Sequence, residues 1–230
     1  EVVVFDAKPK AGGLNEYGLA AYKTPDGFAQ KEVGWLLSIG GITIRHGQAL
    51  GRDLTLDALC AQHDAVFLAI GLAGVNALGV SGEDLQGVES AVDFIERLRQ
   101  TADLATLPIG RRVLVIGGGM AAIDAAVQSR KLGAEEVTIV YRRAMEQMPA
   151  RIEEIHHAEQ EGVQFRLLNN PTRILGDERH RVIGMECLRM ELGEPDASGR
   201  RSPVPVEGSE WIMDLDTVVV RSEERRVGKE

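Results

Sequence analysis

The sequence predicts an α/β fold of two doubly wound parallel-sheet units, the second carrying an antiparallel β excursion. Three observations predict it. Short apolar runs suited to strands buried on both faces alternate with longer segments whose apolar residues recur at helical spacing. One such pair, Val113–Ile116 and Met120–Leu132, is joined by Gly117-Gly118-Gly119, where the strand period gives way to the helix period. Late in the chain, Thr172–Leu175 and Val182–Leu192 alternate apolar and polar residues around the polar turn Gly176-Asp177-Glu178-Arg179, as paired antiparallel strands do.

The 230 residues suffice for one large domain or two smaller ones, and a hydrophobic content of 44% is ample for a buried core. A net charge of −9 and a pI near 5.2 argue against nucleic acid or an anionic membrane surface as the main partner. No apolar run has bilayer length and no signal-peptide pattern opens the sequence, so a cytoplasmic protein with no membrane or nucleic-acid partner is expected. Cys60 and Cys187 form no C-x-x-C, which fits a reducing compartment and argues against a metal cluster or disulfide-exchange centre built from them.

In chain order, Glu1–Asp6 is a strand closed by an acid. In a dinucleotide-binding unit an acid at the end of the second strand accepts hydrogen bonds from ribose hydroxyls, so Asp6 is a candidate ribose ligand; the other reading is an acid that merely closes a strand. Pro9–Gly18 is a glycine-bearing loop just beyond that acid, where backbone can approach a ligand. Asp26–Ile39 carries Phe28, Val33, Leu36 and Leu37 at helical spacing and stops at Gly40-Gly41. Ile42–His46 is a short strand, with His46 at its end either a proton donor or a surface residue. Thr55–Gln62 is a helix and Asp64–Gly71 a buried strand, whose last residues, Ala69 and Gly71, would border a ligand crevice. Gly71–Gly87 leads out of the first domain, Val88–Leu98 is a helix, and Pro108-Ile109-Gly110 turns the chain into the central motif.

There Gly117, Gly119 and Ala122 form G-x-G-x-x-A. Gly117 permits the tight turn, Gly119 omits a side chain where a pyrophosphate would touch backbone, and Ala122 lets the helix lie close to the strand. The helix N-terminus, opening at Met120 and Ala121, faces the anion. With Gly133 closing the helix and Val137–Tyr141 as the next strand, this is a Rossmann-like β-α-β of dinucleotide-binding length; a tight turn without a ligand is the other reading. Tyr141-Arg142-Arg143 stands where an NAD site shows an acid. Tyr141 can stack on adenine, and Arg142 and Arg143 either hold a 2′-phosphate or form a solvated basic turn, so NADH against NADPH stays open. Arg151–Glu161 is a charged surface helix closed by Gly162, and Val163–Leu168 completes β-α-β-α-β. Asp216–Val220 is a near twin of Asp64–Leu68. It runs into Arg221–Glu230, whose charge density cannot follow a buried strand, so 221–230 is read as a foreign tail. The expected domains are 1–87 and 109–220, with 88–108 as connecting helix and linker.

Gly12–Lys23, Gly82–Val88, Gly117–Asp124, Tyr141–Arg143 and Met148–Ala150 resemble the two-dinucleotide flavoprotein oxidoreductases, and more narrowly the branch of the glutamate synthase small subunit and dihydropyrimidine dehydrogenase. The resemblance runs from residue 1 to Val220. Asn15–Lys23 and Arg45–Asp53 look most like the flavin-bearing NAD(P)H subunit of bacterial dihydropyrimidine dehydrogenases, which are typically NADH-dependent. The resemblance implies FAD in the first domain, on Asp6, Gly12, Gly13, Leu14, Ala69 and Gly71. It implies NAD(P) in the second, on Gly117, Gly119, Met120, Ala121, Arg142 and Arg143. It further implies hydride transfer from nicotinamide to flavin, and electrons leaving through iron-sulfur clusters to a catalytic partner subunit, a pyrimidine-reducing flavoprotein in a hetero-oligomer. No side chain is required as acid or base. The clusters, the first glycine loop and the C-terminal half of the FAD domain are expected in the complete protein and not in these 230 residues. A glutamate synthase small subunit and a non-catalytic nucleotide-binding module are the alternative functions.

Overall fold

The computed structural model describes residues 1–71, 77–195 and 201–221. Cα packing divides the chain into two units, 1–74 and 75–230. The first contains β1 (Val2–Asp6), α1 (Gly13–Tyr17), α2 (Phe28–Ser38), β2 (Ile42–His46) and α3 (Leu56–Gln62). The β-branched runs at both strands favour the extended chain, and β1 pairs with β2 in parallel, from Val2 with Ile42 to Asp6 with His46, making α2 the crossover. Thr55 caps α3, its hydroxyl accepting from the Ala58 N–H at 3.3 Å.

The buried strand expected at Asp64–Gly71 does not form. Residues 65–71 have no ladder partner, and Phe67 and Ile70 are 90% and 72% exposed. A buried parallel strand must place its N–H and C=O groups on neighbouring strands. The sheet of this unit consists of β1 and β2, and among the described residues nothing flanks the other edge of β1. An apolar run without a neighbour has nothing to pair with.

The boundary between the units lies earlier than the sequence suggests, because 77–87 packs with the second unit. Leu85 joins its core, the Gln86 N–H donates to the His180 carbonyl (2.9 Å), and the Ile174 N–H donates to that of Ser81 (3.0 Å). The helix expected from Val88 begins later. Val88–Ser90 is a strand, β3, and the Ser90 hydroxyl accepts from the Asp93 N–H (3.2 Å) to start α4 (Ala91–Gln100). Then follow β4 (Arg112–Ile116), α5 (Met120–Lys131), β5 (Glu136–Tyr141), α6 (Ile152–Gln160), β6 (Gln164–Leu167), β7 (Asn169–Gly176), β8 (Val182–Pro195), β9 (Arg201–Pro205), β10 (Trp211–Asp214) and β11 (Thr217–Val220).

The parallel sheet runs β3-β11-β4-β5-β6, and the antiparallel sheet runs β10-β8-β7 with β9 also on β8. The sequence anticipated β7 and β8 but neither β9, disguised by Pro203 and Pro205, nor β10. On one face of the parallel sheet Leu114, Ile116, Val140, Val218 and Val220 pack against Ile174, Val182, Met185 and Cys187 of the antiparallel sheet. Their alternate neighbours turn to the other face, where α4 and α5 pack on the strands and α6 packs on α5. α5 is buried from Ala122 to Ser129, and its alanines let it lie close to the sheet. Residues 222–230, where the foreign tail was expected, lie outside the described residues; Arg221 extends the β11 ladder, its N–H donating to the Ile116 carbonyl at 3.0 Å.

Asp216 sets the level of β11 beside β4. Its carboxylate accepts from the N–H groups of Arg111 (3.2 Å) and Arg112 (3.3 Å), and a Cβ on Gly110 would overlap that carboxylate and the Thr217 side chain. Gly110→Ala is therefore expected to destabilise the protein by about 1–3 kcal/mol. Gly34→Ala, in α2 with open space around it, is expected to stabilise it by about 0.5–1 kcal/mol. Denaturant midpoints test both; equal signs for the two substitutions contradict this account.

Candidate functional site

The C-terminal ends of β4 and β5 carry the glycine loop and the arginine pair, so the chain's main chemical features meet at one end of the parallel sheet. Gly117 has φ +139° and donates its N–H to the Val140 carbonyl (3.1 Å); a Cβ there would come within 2.7 Å of the Arg221 carbonyl oxygen. Only glycine suits that turn. Gly118, which the sequence did not single out, is equally confined. A Cβ there would fall 2.8 Å from the ring of Tyr141, which is 7% exposed and whose hydroxyl donates to the Gln147 carbonyl (2.9 Å). The ring thus lies against the loop and is not a platform for adenine. Gly119 is the N-cap of α5 in an extended conformation, its carbonyl accepting from the N–H groups of Ala122 and Ile123 (3.0 and 3.2 Å).

Gly119, Met120 and Ala121 are half-buried at the start of α5. The first turn of a helix leaves N–H groups without intrahelical partners, and the dipole adds positive potential, so this turn suits an anion. Arg142 and Arg143 follow β5 and are also half-buried. The Arg143 carbonyl accepts from the Leu168 N–H at 3.2 Å, while its Nε is buried with no hydrogen-bond partner among the described residues. A buried guanidinium N–H left without an acceptor is costly, and an anionic group is the kind of ligand that would supply one. Crowded glycines, a helix N-terminus and an arginine with an unsatisfied N–H thus lie at one end of the parallel sheet, an arrangement suited to an anionic ligand.

In the first unit Asp6 is half-buried, and its Oδ1 already accepts from the Lys8 N–H (2.9 Å). Gly12, at φ +123°, has a packing reason as well: a Cβ would lie 3.1 Å from that of Glu16 and 3.3 Å from that of Ala29. Gly13 opens α1 at φ +51°, and Leu14 is 72% exposed. Residues that the sequence did not single out anchor this loop. The Tyr17 hydroxyl accepts from the Lys10 N–H (3.0 Å) and donates to the Lys10 carbonyl (3.1 Å), with burial pushing its pKa above the ordinary tyrosine value. Gln30 donates to the Ala11 carbonyl (2.7 Å) and to buried Glu16 (2.9 Å). Gln48 donates its N–H to the Asp6 carbonyl (3.1 Å), and its Oε1 is buried without a partner among the described residues. Ala69 and Gly71 are exposed in the unpaired stretch and border no sheet crevice. The first unit therefore places an acid at the end of β1 and an anchored loop after it.

Among the described residues no cluster of His, Cys, Asp or Glu is placed to hold a metal ion, and no helix is long and apolar enough to cross a membrane. Cys60 is exposed; Cys187 is fully buried between the sheets, where burial, and secondarily Glu186, push its thiol up to about 12. The thiolate is the reactive form, so at pH 8 Cys187 stays protonated and inert. One thiol per chain is expected to react with a disulfide reagent in the native protein and the second only after unfolding; two fast thiols contradict this.

Comparison with known proteins follows the same geometry. Residues 13–219 match the family described as pyridine nucleotide-disulphide oxidoreductase. The chain is 40% identical over 221 residues to the NADPH-Fe(3+) oxidoreductase subunit beta of Geobacter sulfurreducens, covering 94% of this chain and 32% of that protein. It is 36% identical over 232 residues to the glutamate synthase (NADPH) small chain of Escherichia coli K12, covering 96% of this chain and 48% of that one. FprA of Mycobacterium tuberculosis shares the fold, with a TM-score of 0.78 at 22% identity over 95% of this chain and 63% of that structure. The chain thus spans less than half of each of these two curated relatives, 32% and 48%. Matched along nearly its whole length, and through the glycine loop that turns β4 into α5, it belongs to the pyridine nucleotide-disulphide oxidoreductase family.

Proposed function

We propose that the protein is the NAD(P)H-dependent electron-input part of a flavoprotein oxidoreductase, with NAD(P) bound by the second unit and FAD by the first. The observation that carries the nucleotide reading is the buried, unpartnered Nε of Arg143 beside a glycine loop too crowded for side chains. When bound, NAD(P)H supplies a hydride and FAD accepts it. The chain's own work is positional. Gly117 and Gly119 keep side chains away from the pyrophosphate, while the N–H groups at Met120 and Ala121 face it. Arg142 and Arg143 meet the adenosine end, whether ribose hydroxyl or 2′-phosphate. No side chain of the site moves a proton.

For FAD the first unit offers a ribose end. Asp6 retains acceptor capacity there, and the loop with Gly12, Gly13 and Leu14 follows it. The complete protein is proposed to bind FAD through this unit. Ala69 and Gly71 join that site only if the complete protein gives 64–71 a strand to pair with.

Relatives named as a beta subunit and a small chain support a hetero-oligomer in which electrons pass on to a partner, through iron-sulfur clusters carried outside these residues. The resemblance of Asn15–Lys23 and Arg45–Asp53 favours a pyrimidine-reducing flavoprotein as that partner, and the identity to the glutamate synthase small chain favours the second reading. We place the protein in the cytoplasm on its two free thiols. With the native partner, NAD(P)H-driven reduction of uracil supports the first reading, and turnover of glutamine with 2-oxoglutarate the second.

Arg143→Ala is expected to weaken NADPH binding by about tenfold or more, the loss of a charge-assisted hydrogen bond of roughly 1.5 kcal/mol or more. Gly119→Val is expected to abolish binding of NADPH and NADH alike. Fluorescence titration with each cofactor measures both variants; unchanged affinities in both refute the site.

A further inference from the structure

The structure assigns Tyr141 a role that the glycine motif does not reveal: we propose that it is the positioning residue of the pyrophosphate loop, acting through Gly118. The inference rests on the nucleotide reading above and deepens it. Tyr141 closes β5 at the position where an acid would touch ribose directly, yet its ring lies against the loop, with atoms 2.8, 2.8 and 3.0 Å from where a Gly118 Cβ would stand. The ring is 7% exposed, and its hydroxyl is tied to the Gln147 carbonyl at 2.9 Å. Gln147 is itself held, accepting from the Ala144 N–H (3.4 Å) and donating to the Arg201 carbonyl (3.3 Å). The ring therefore acts as a fixed wall.

A second contact sets the direction of the loop. The Ala150 N–H donates to the Gly118 carbonyl at 3.1 Å, and Met148 and Ala150 are both buried. In a trans peptide the C=O and the following N–H point opposite ways. Turning the Gly118 carbonyl toward Ala150 turns the Gly119 N–H away from the 148–150 segment, leaving it for a ligand at the start of α5. This gives Met148-Pro149-Ala150 a function: it holds the Gly118 carbonyl while the Tyr141 ring packs against Gly118 itself. Arg142 and Arg143 directly follow Tyr141, so the end of β5 carries both the wall of the loop and the proposed adenosine-side charges.

The test uses the 230-residue chain, with dissociation constants for NADPH and NADH and unfolding midpoints for each variant. Tyr141→Phe keeps the ring and frees it from Gln147. It is expected to weaken both cofactors by the same factor, about threefold to tenfold, because the pyrophosphate is common to both; a role limited to stability leaves both constants unmoved. Gly118→Ala is expected to weaken both by about tenfold or more. In a Tyr141→Leu background, which removes the ring, the same alanine is expected to cost less than about twofold more. Unchanged affinity in Tyr141→Phe, a loss confined to NADPH, or additive effects in the cycle overturn the inference while leaving the nucleotide reading intact. No binding of either cofactor by the unsubstituted chain overturns both. If Gly118→Ala does not fold, Tyr141→Phe decides alone.

Discussion

The ends of β11, β4 and β5 meet so tightly that backbone occupies the room side chains would need, and the second unit depends on that closeness. The Gly117 N–H reaches the Val140 carbonyl of β5, the Arg221 N–H reaches the Ile116 carbonyl of β4, and Gly117 sits under the Arg221 carbonyl. The strands are apolar because both faces are covered, by helices on one side and the antiparallel sheet on the other. The glycines follow from the meeting point. They serve packing, because a loop without side chains lets the ends of three strands close on one another.

Around this core, charged side chains are spent on backbone groups that the secondary structure leaves unpaired. Arg130 donates to the carbonyls of Ala134, Glu135 and Glu161, closing the C-terminal ends of α5 and α6. The Glu83 carboxylate accepts from the N–H groups of Leu78, Gly79 and Val80 at 2.5–2.9 Å, and Asp216 does the same for the entry to β4. Surface pairs such as Arg111 with Glu135 are exposed and contribute little by comparison. Against this pattern of satisfied charges, the Arg143 Nε stands out as buried without a hydrogen-bond partner among the described residues.

The first unit shows what happens when a local pattern lacks its partners. β1, β2 and the cap of α3 form where the sequence places them, because β-branched runs and a threonine cap act over a few residues. Trp35 and Ile39 of the α2 region remain 66% and 67% exposed, and 65–71 stays outside any ladder. The residues proposed for FAD divide accordingly: Asp6 ends β1 and Gly12, Gly13 and Leu14 lie at the start of α1, in the anchored loop region, whereas Ala69 and Gly71 lie in a stretch outside any ladder.

By itself the sequence determined the alternation from β4 to β6, the turn at Gly117, the helix N-terminus at Met120 and the basic pair after β5. Each is written in short-range periodicity or in a residue with a special backbone. Only the tertiary structure decided that β11 enters between β3 and β4, that Val88 begins a strand, that Gly118 answers to Tyr141, and that one arginine of the pair keeps an unsatisfied N–H. Those outcomes join residues far apart in the chain, Asp216 and Arg111 being separated by 105 positions. Crowding and hydrogen-bond closure across such distances leave no trace in local period, because a residue's neighbours in space are set by the packing of whole strands.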